Sequence, residues 1–229
     1  MSKLHKSTSN QLLSGLSAPN FAVLEPHLSA EDLPVGKVLG GRNKRIDHIY
    51  FLENGFASVV AYGAGNRGIE VGIIGRGGMS GLSVMLGRDQ SRYETYMQVA
   101  GNGLRISTAN FRAAIDQSGD LLRALLLFVD SFLSQAAETA LANGRSNIEQ
   151  RLARWLLMAH DRIDGELPLT QAFLSIMLGV RRASVTIALQ ELERQGLITT
   201  KRGGITILDR EALVECSGGI YSGPESRRS

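Results

Sequence analysis

Residues 170 to 190, TQAFLSIMLGVRRASVTIALQ, constrain this chain more than any other stretch. Read as a 20-position motif from Gln171, they place apolar side chains at Leu174, Leu178, Val180, Val185 and Ala188, with a small Ser175 and a glycine at Gly179. Two helices that meet at a steep angle need a small side chain where their backbones approach, and the tight turn between them needs a residue that tolerates positive φ. Ser175 and Gly179 meet those two needs. The pattern predicts a helix-turn-helix whose polar residues Arg181, Arg182, Ser184, Thr186 and Gln190 turn away from the packed stripe, where a second helix would face the major groove of DNA. Arg182, near the N-terminus of that helix, is the candidate for a bidentate contact to guanine. An ordinary helical hairpin inside a core is the alternative for the same pattern.

The flanking segments fit the first of these. Gly196 reads as a helix stop, and ITTKRGGITIL reads as two short strands around a turn at Arg202-Gly203-Gly204. A basic hairpin directly after a recognition helix is a wing, with Lys201 and Arg202 near phosphates, where contacts give affinity and register more than sequence choice. Upstream, a helix from about Asn147 to Arg162 carries Leu152, Trp155, Leu156 and Ala159 at core spacing. Ser146-Asn147-Ile148-Glu149 reads as the capping box that starts it, after a break at Asn143-Gly144-Arg145.

Before that break lies a long helix, about Leu121 to Ala142, apolar on two faces. Leu122, Leu126, Val129, Leu133, Ala136 and Ala140 alternate spacings of four and three, the seam of a coiled coil. Leu121, Leu125, Phe128 and Phe132 form a second stripe. One stripe can pack on its own chain, and the other then needs a partner, most simply a second copy paired as a symmetric dimer. A single helix buried inside one domain is the alternative.

From about residue 33 to 107 short strands alternate with glycine-rich turns: Lys37 to Leu39, His48 to Leu52, Phe56 to Ala61, Gly68 to Ile74, Tyr93 to Val99 and Gly103 to Ile106. This spacing predicts a β sandwich, roll or barrel, preceded by short helices around Gln11 to Leu16 and Pro19 to His27. The expected organisation is α+β: residues 1–120 as an N-terminal β domain, 121–143 as the dimerisation helix and 144–229 as a winged helix-turn-helix.

Composition narrows the function classes. With 229 residues, 43% hydrophobic and 21% charged, the chain can bury two cores, and its formal net charge of +3 allows a nucleic-acid partner without demanding one. No apolar run approaches the roughly 20 residues of a membrane span, and MSKLHKSTSNQLL lacks a hydrophobic signal core, so a cytoplasmic location without membrane attachment is expected. The lone Cys216 cannot close an intrachain disulfide or by itself hold an iron–sulfur cluster, so no such cluster is expected, and the histidines show no metal-ligand spacing. No Ser/His/Asp arrangement, phosphate-binding loop or metal cluster assigns a catalytic role, and an enzyme is not expected.

The order of β domain, long helix, hinge and winged helix-turn-helix resembles the bacterial superfamily of the cyclic-AMP receptor protein and the fumarate and nitrate reduction regulator (CRP/FNR). The likeness is strongest over RLARWLLMAHDR and LPLTQAFLSIMLGVRRASVTIALQELERQGLI. It implies a homodimeric transcription factor whose β roll, like a cyclic-nucleotide-binding domain, holds an effector, whose winged helices bind an inverted repeat in double-stranded DNA, and whose further partner is RNA polymerase. The family's base-reading arginine falls on Arg182; the acidic reader that often follows is Ala183, and a second arginine one turn later is Ile187. Arg181 stands where a capping serine is common, which suits a phosphate contact.

The effector region departs further. Cyclic-nucleotide-binding members carry a glycine-glutamate pair and a later arginine followed by Ser or Thr; here the corresponding residues are Gly81-Leu82 and Arg92-Tyr93. The carboxylate that would meet the ribose hydroxyl is absent, so cyclic AMP is not expected as the effector, which leaves an unidentified small molecule. Arg92 and the Gly75-Arg76-Gly77-Gly78 segment are the remaining candidate anion contacts, against the alternative that these glycines are only turn residues of the roll. Two function classes stand: a DNA-binding regulator, and a ligand-binding signalling module whose winged helix mediates protein contacts.

Overall fold

The computed structural model describes residues 2–163 and 165–223. In chain order its elements are α1 (Lys3–Ser7), α2 (Gln11–Ser14), α3 (Ala18–Leu24), β1 (Ser29–Leu33), β2 (Val38–Gly40), β3 (His48–Leu52), β4 (Phe56–Tyr62), β5 (Gly68–Ile74), α4 (Leu82–Met85), β6 (Glu94–Val99), β7 (Gly101–Ser107), α5 (Thr108–Gln117), α6 (Gly119–Arg145), α7 (Ile148–His160), α8 (Gln171–Met177), α9 (Arg182–Arg194), β8 (Ile198–Lys201), β9 (Gly204–Ile207) and α10 (Arg210–Cys216). They fall into two compact units of described residues, one holding those up to Val60 with Ile73–Phe132, the other Ala61–Gly72 and the described residues from Leu133 on.

A three-stranded sheet, ordered β1-β7-β3, lies in the first unit, and a four-stranded one, ordered β2-β6-β4-β5, lies there except for the Ala61–Gly72 tip of its β4–β5 hairpin; β8 and β9 form a separate two-stranded sheet in the second unit. The β3–β7 register, Ile49 opposite Ile106 and Phe51 opposite Leu104, turns one apolar face toward a core that also takes Leu13 and Phe21 from the N-terminal helices, Phe111 from α5 and Leu121, Leu125 and Val129 from α6. Asn10 ties the N-terminal segment to the sheet, its buried amide donating to the carbonyls of Leu52 (2.7 Å) and Gly78 (2.9 Å) while its oxygen caps Leu13. The architecture is the expected α+β one. Strand β1 and helices α1, α4, α5 and α10 were not expected. Only Leu33 of SAEDL is buried, so an edge strand here lacks the alternation by which strands are read.

Helix α6 runs unbroken through Asn143-Gly144-Arg145, where a break was expected, and Ser146 N–H still bonds the Ala142 carbonyl at 3.0 Å. A glycine inside a helix costs only about 1 kcal/mol, which the continuing ladder and the buried Ala142 outweigh. The next helix starts one residue later than read: Asn147 accepts from Gln150 N–H and Gln150 returns a bond to Asn147 N–H, so the capping box is Asn147/Gln150 rather than Ser146/Glu149. By length and composition alone α6 could cross a bilayer, but Leu121, Leu125 and Val129 are packed into the core of the first unit.

The second unit is built on α7. Leu152, Leu156 and Ala159 are fully buried and Trp155 nearly so, with Leu174, Val185, Leu192, Ile205 and Leu213 completing the core. Arg154, 4% exposed, bonds the Ile220 carbonyl, Thr139 and Glu138, so its buried charge is fully engaged. Near the last described residues Arg210 bonds Asp161 at 2.8 Å and the Tyr221 hydroxyl at 2.7 Å, and that hydroxyl donates to Asp161 at 2.7 Å. Burial first, then the hydrogen bond and charge of Asp161, push the Tyr221 phenol up to about 12. Because the folded state holds this proton more tightly than the unfolded chain, the stabilisation is complete below pH 10 and is lost as pH rises toward about 12. Spectrophotometric titration of the five tyrosines should show a last phase near pH 12 that Tyr221→Phe removes; an unchanged titration curve would break the assignment.

Candidate nucleic-acid interface

Thr170 caps α8 by accepting from Phe173 N–H at 3.2 Å, and Leu174, Met177 and Leu178 bury the inner face of that helix. Gly179 then takes φ +63°, the left-handed conformation the turn requires, and Val180 N–H bonds back to the Ser175 carbonyl at 3.0 Å. Helix α9 leaves at 107° to α8, within the range of a helix-turn-helix pair. Its inner face buries Val185, Ala188, Leu189 and Leu192.

The outer face carries the candidate readers. Arg181 is the N-cap residue and makes no side-chain cap, and Arg182 is the first residue of the helix; both are exposed. An uncapped helix N-terminus leaves backbone N–H groups and the positive end of the helix dipole for an anion. Gln190 is exposed and Ser184 half-buried. Thr186 is half-buried, its hydroxyl 2.9 Å from Gln171 Oε1, so it is engaged within the motif. Ile187 is 63% exposed on this polar face, a position that apolar periodicity had not singled out as a contact.

The wing forms as expected, with Lys201 opposite Gly204 and the turn at Arg202-Gly203. Leu167 adds a bridge to Ile205, two backbone bonds at 2.8 and 2.9 Å, which fixes the wing to the segment before α8. Arg202 is exposed. Lys201 differs from expectation in one respect: its ammonium lies 2.5 Å from Glu166, an exposed ion pair that a phosphate would have to displace.

The candidate effector residues lie on separate pieces of the first unit. Gly81, at φ +78°, and Leu82 open α4; Arg76 is half-buried in the turn after β5; Arg92 and Tyr93 are exposed on the loop into β6. That loop is zipped to residues 42–46, with Asn43 N–H on Ser91 O at 2.6 Å and Ile46 N–H on Asp89 O at 2.9 Å. Side chains of the same unit fill the space at the glycines: a Cβ on Gly78 would run into the Phe128 ring, and one on Gly81 into Ile49. This gives the two glycines a packing reason. Cys216 is half-buried, and burial followed by the charges of Glu149 and Glu191 raises its thiol pKa.

Along α6 the two stripes separate differently from the seam read from sequence. Val129 is 6% exposed and belongs to the core of its own chain, and Leu122 packs partly against that core. Leu126 (38%), Leu133 (60%) and Ala140 face outward, joined by Leu127 (74%) and Leu141 (55%), while Ala136 is half-buried. The heptad spacing survives in Leu126, Leu133 and Ala140, but the outward face is rotated toward Leu127 and Leu141.

Residues 150–216 match the Crp-like helix-turn-helix domain family. No match was found among curated protein sequences. Among solved structures the chain is similar to a protein from Eubacterium rectale described as a transcriptional regulator of the crp/fnr family, with a TM-score of 0.72 and 18% identity over 91% of this chain and 98% of that one. It is similar also to a CRP/FNR-family transcriptional regulator from Thermus thermophilus (TM-score 0.68, 19% identity, 83% and 98% covered). A third is the c-di-GMP-responsive global regulator of Xanthomonas campestris (TM-score 0.67, 16% identity, 83% and 99% covered). The chain thus carries a Crp-like helix-turn-helix domain and has the fold of the CRP/FNR-family transcription regulators.

Proposed function

We propose that this chain is a homodimeric transcription regulator that binds an inverted repeat in double-stranded DNA through α8, α9 and the β8–β9 wing. The observation that carries it is the 107° helix pair that presents Arg181 and Arg182, exposed and uncapped, at the start of α9. Arg182 is assigned to a guanine edge, Arg181 and Arg202 to phosphates, and Ser184, Gln190 and Thr186 to neighbouring polar contacts, with Thr186 exchanging Gln171 for DNA. Ile187 supports an apolar contact with a thymine methyl. Lys201 would reach a phosphate by leaving Glu166. RNA polymerase is the further partner, and the cytoplasm is where such a regulator works. In this division of labour residues 1–120 sense, 121–143 pair the protomers and 144–229 bind DNA, without catalysis.

Selection of duplexes from a random pool tests the assignment: a two-fold site with half-sites about one helical turn, roughly 34 Å, apart is expected. Arg182→Ala should cost about 1 to 3 kcal/mol and relax preference at one base pair in each half-site, whereas Arg202→Ala should weaken all duplexes alike and flatten the salt dependence. Lys201→Ala should do the same less strongly, since an exposed pair with Glu166 already competes for it. Equal weakening of selected and random DNA by Arg182→Ala would remove its role as reader. Binding of no duplex would favour the signalling module with protein contacts.

The dimer is assigned to the outward face of α6. Leu133→Asp should give a folded monomer by light scattering. Val129→Asp should instead destabilise the protomer by about 3 kcal/mol or more, because an unpaired charge enters its core. A wild-type monomer at micromolar concentration would end the dimer assignment.

Cyclic AMP is not assigned as effector. Leu82 stands at the place of the ribose-binding acid, and burying that hydroxyl without a partner costs about 1 to 3 kcal/mol, a factor of roughly ten to a hundred in affinity. The c-di-GMP-responsive neighbour has the same fold and a different effector, which supports reading the fold and the ligand separately. Calorimetry should detect no low-micromolar cyclic AMP binding; tight binding that raises operator affinity would overturn this.

A further inference from the structure

The tip of the β4–β5 hairpin, Ala61–Gly72, clusters with the C-terminal unit, where Ile69 and Glu70 of β5 meet the helix-turn-helix turn and α7. Trp155 Nε1 donates to Glu70 Oε1 at 2.5 Å, with both residues 4% exposed. The Trp155 ring meets Phe173 of α8 edge-on at 5.6 Å between centroids. A Cβ on Gly179 would lie 3.0 Å from Ile69 Cδ1, so Ile69 rests on the backbone of the turn itself. Arg151 of α7 bonds the Leu178 carbonyl at the end of α8, beside a cavity of about 20 Å³, room for one water, that Glu70, Trp155 and Met177 also line.

A buried carboxylate is a costly way to fill space, and an apolar side chain of similar volume packs more cheaply. The indole N–H also needs a partner once buried. Glu70 and Trp155 therefore answer each other, and the bond joins the hairpin to the helix that carries the motif. Strands β4 and β5 run on into the first unit, where Val59, Val60, Ile73 and Ile74 are each 3% exposed or less. The reading face stays uncovered: Arg181, Arg182 and Gln190 are exposed with these contacts in place.

We propose that Glu70 and Ile69 are positioning residues for DNA recognition, the hairpin clamping α8 and the Gly179 turn through Trp155 and so setting the stance of the recognition helix. The clamp rests on the assignment of α9 to the major groove. It acts on how the helix is held and leaves the base contacts to α9.

Trp155 is the single tryptophan of the chain, so its emission reports the clamp directly. The full-length Glu70→Ala, Glu70→Gln and Ile69→Ala variants are compared with wild type by tryptophan emission and by anisotropy, with a duplex selected from a random pool and with a random duplex of equal length. Glu70→Ala should red-shift the emission and weaken the selected duplex about tenfold while changing the random duplex by less than about twofold. Glu70→Gln, whose amide oxygen still accepts from the indole, should recover most of both. Ile69→Ala should weaken the selected duplex without the red shift, and it decides the matter should Glu70→Ala fail to fold. Shifted emission with selected-duplex affinity within about twofold of wild type would overturn the clamp, as would equal loss on both duplexes. A wild type that prefers no duplex would overturn the regulator assignment along with it, and is told apart because the wild type itself then fails.

Discussion

Burial of Leu121, Leu125 and Val129 against the three-stranded sheet sets the rotation of α6, and much else follows from that rotation. A helix with one stripe held in the core of its own chain has no freedom over which residues it offers outward. Here that leaves Leu127, Leu133 and Leu141 in solvent, three large apolar side chains whose cover, in the proposed dimer, is the same face of a second copy. The register of a coiled-coil partner would thereby be dictated from within the β domain.

Trp155 plays the corresponding part in the second unit. Its ring fills the space between α7 and Phe173, and its N–H is answered by Glu70. Arg154, the preceding residue, sends its charge the other way, to Thr139 and Glu138 on α6. Two adjacent residues of α7 thus tie the hairpin tip, the part of the long helix from Leu133 on and the helix-turn-helix together within the second unit. Removing either partner of such a buried polar pair costs more than the pair contributes, because the survivor is left without its hydrogen bond.

The helix-turn-helix and wing were legible because each depends on local chemistry: an apolar stripe of helical period, a glycine at positive φ, a basic two-residue turn. Most of the β strands were legible for the same reason, lying between glycine turns. What was not legible depends on contacts distant in sequence. SAEDL pairs with β7 some 70 residues on, Ser29 with Arg105, and no apolar alternation announces it. The two stripes of α6 could be listed from spacing, but Val129 could be assigned between them only by the surface it meets. No local pattern marks Glu70, whose partner lies 85 residues away. The helix through Asn143-Gly144-Arg145 shows local propensity losing to a continuing hydrogen-bond ladder.

On the DNA-facing side the same weighing separates residues of similar sequence appearance. Lys201 and Thr186 already have partners in Glu166 and Gln171, so in the proposed complex DNA would gain from them only the difference between the new contact and the old one. An exposed ion pair is worth at most about 1 kcal/mol, a small debit for Lys201. Arg181 and Arg202 carry no ion pair among the described residues, so in the proposed complex they would account for more of the salt-dependent attraction per residue. In the proposed complex, sequence choice would then fall to fewer groups than the polar face suggests: Arg182 for a guanine edge, Gln190, and the exposed apolar Ile187, which could tell a thymine methyl from a cytosine without any hydrogen bond. With Ala183 and Ile187 in place of polar readers, the proposed interface would depend more on shape and on where α9 is held, which would give the contacts that fix its stance a larger share in specificity.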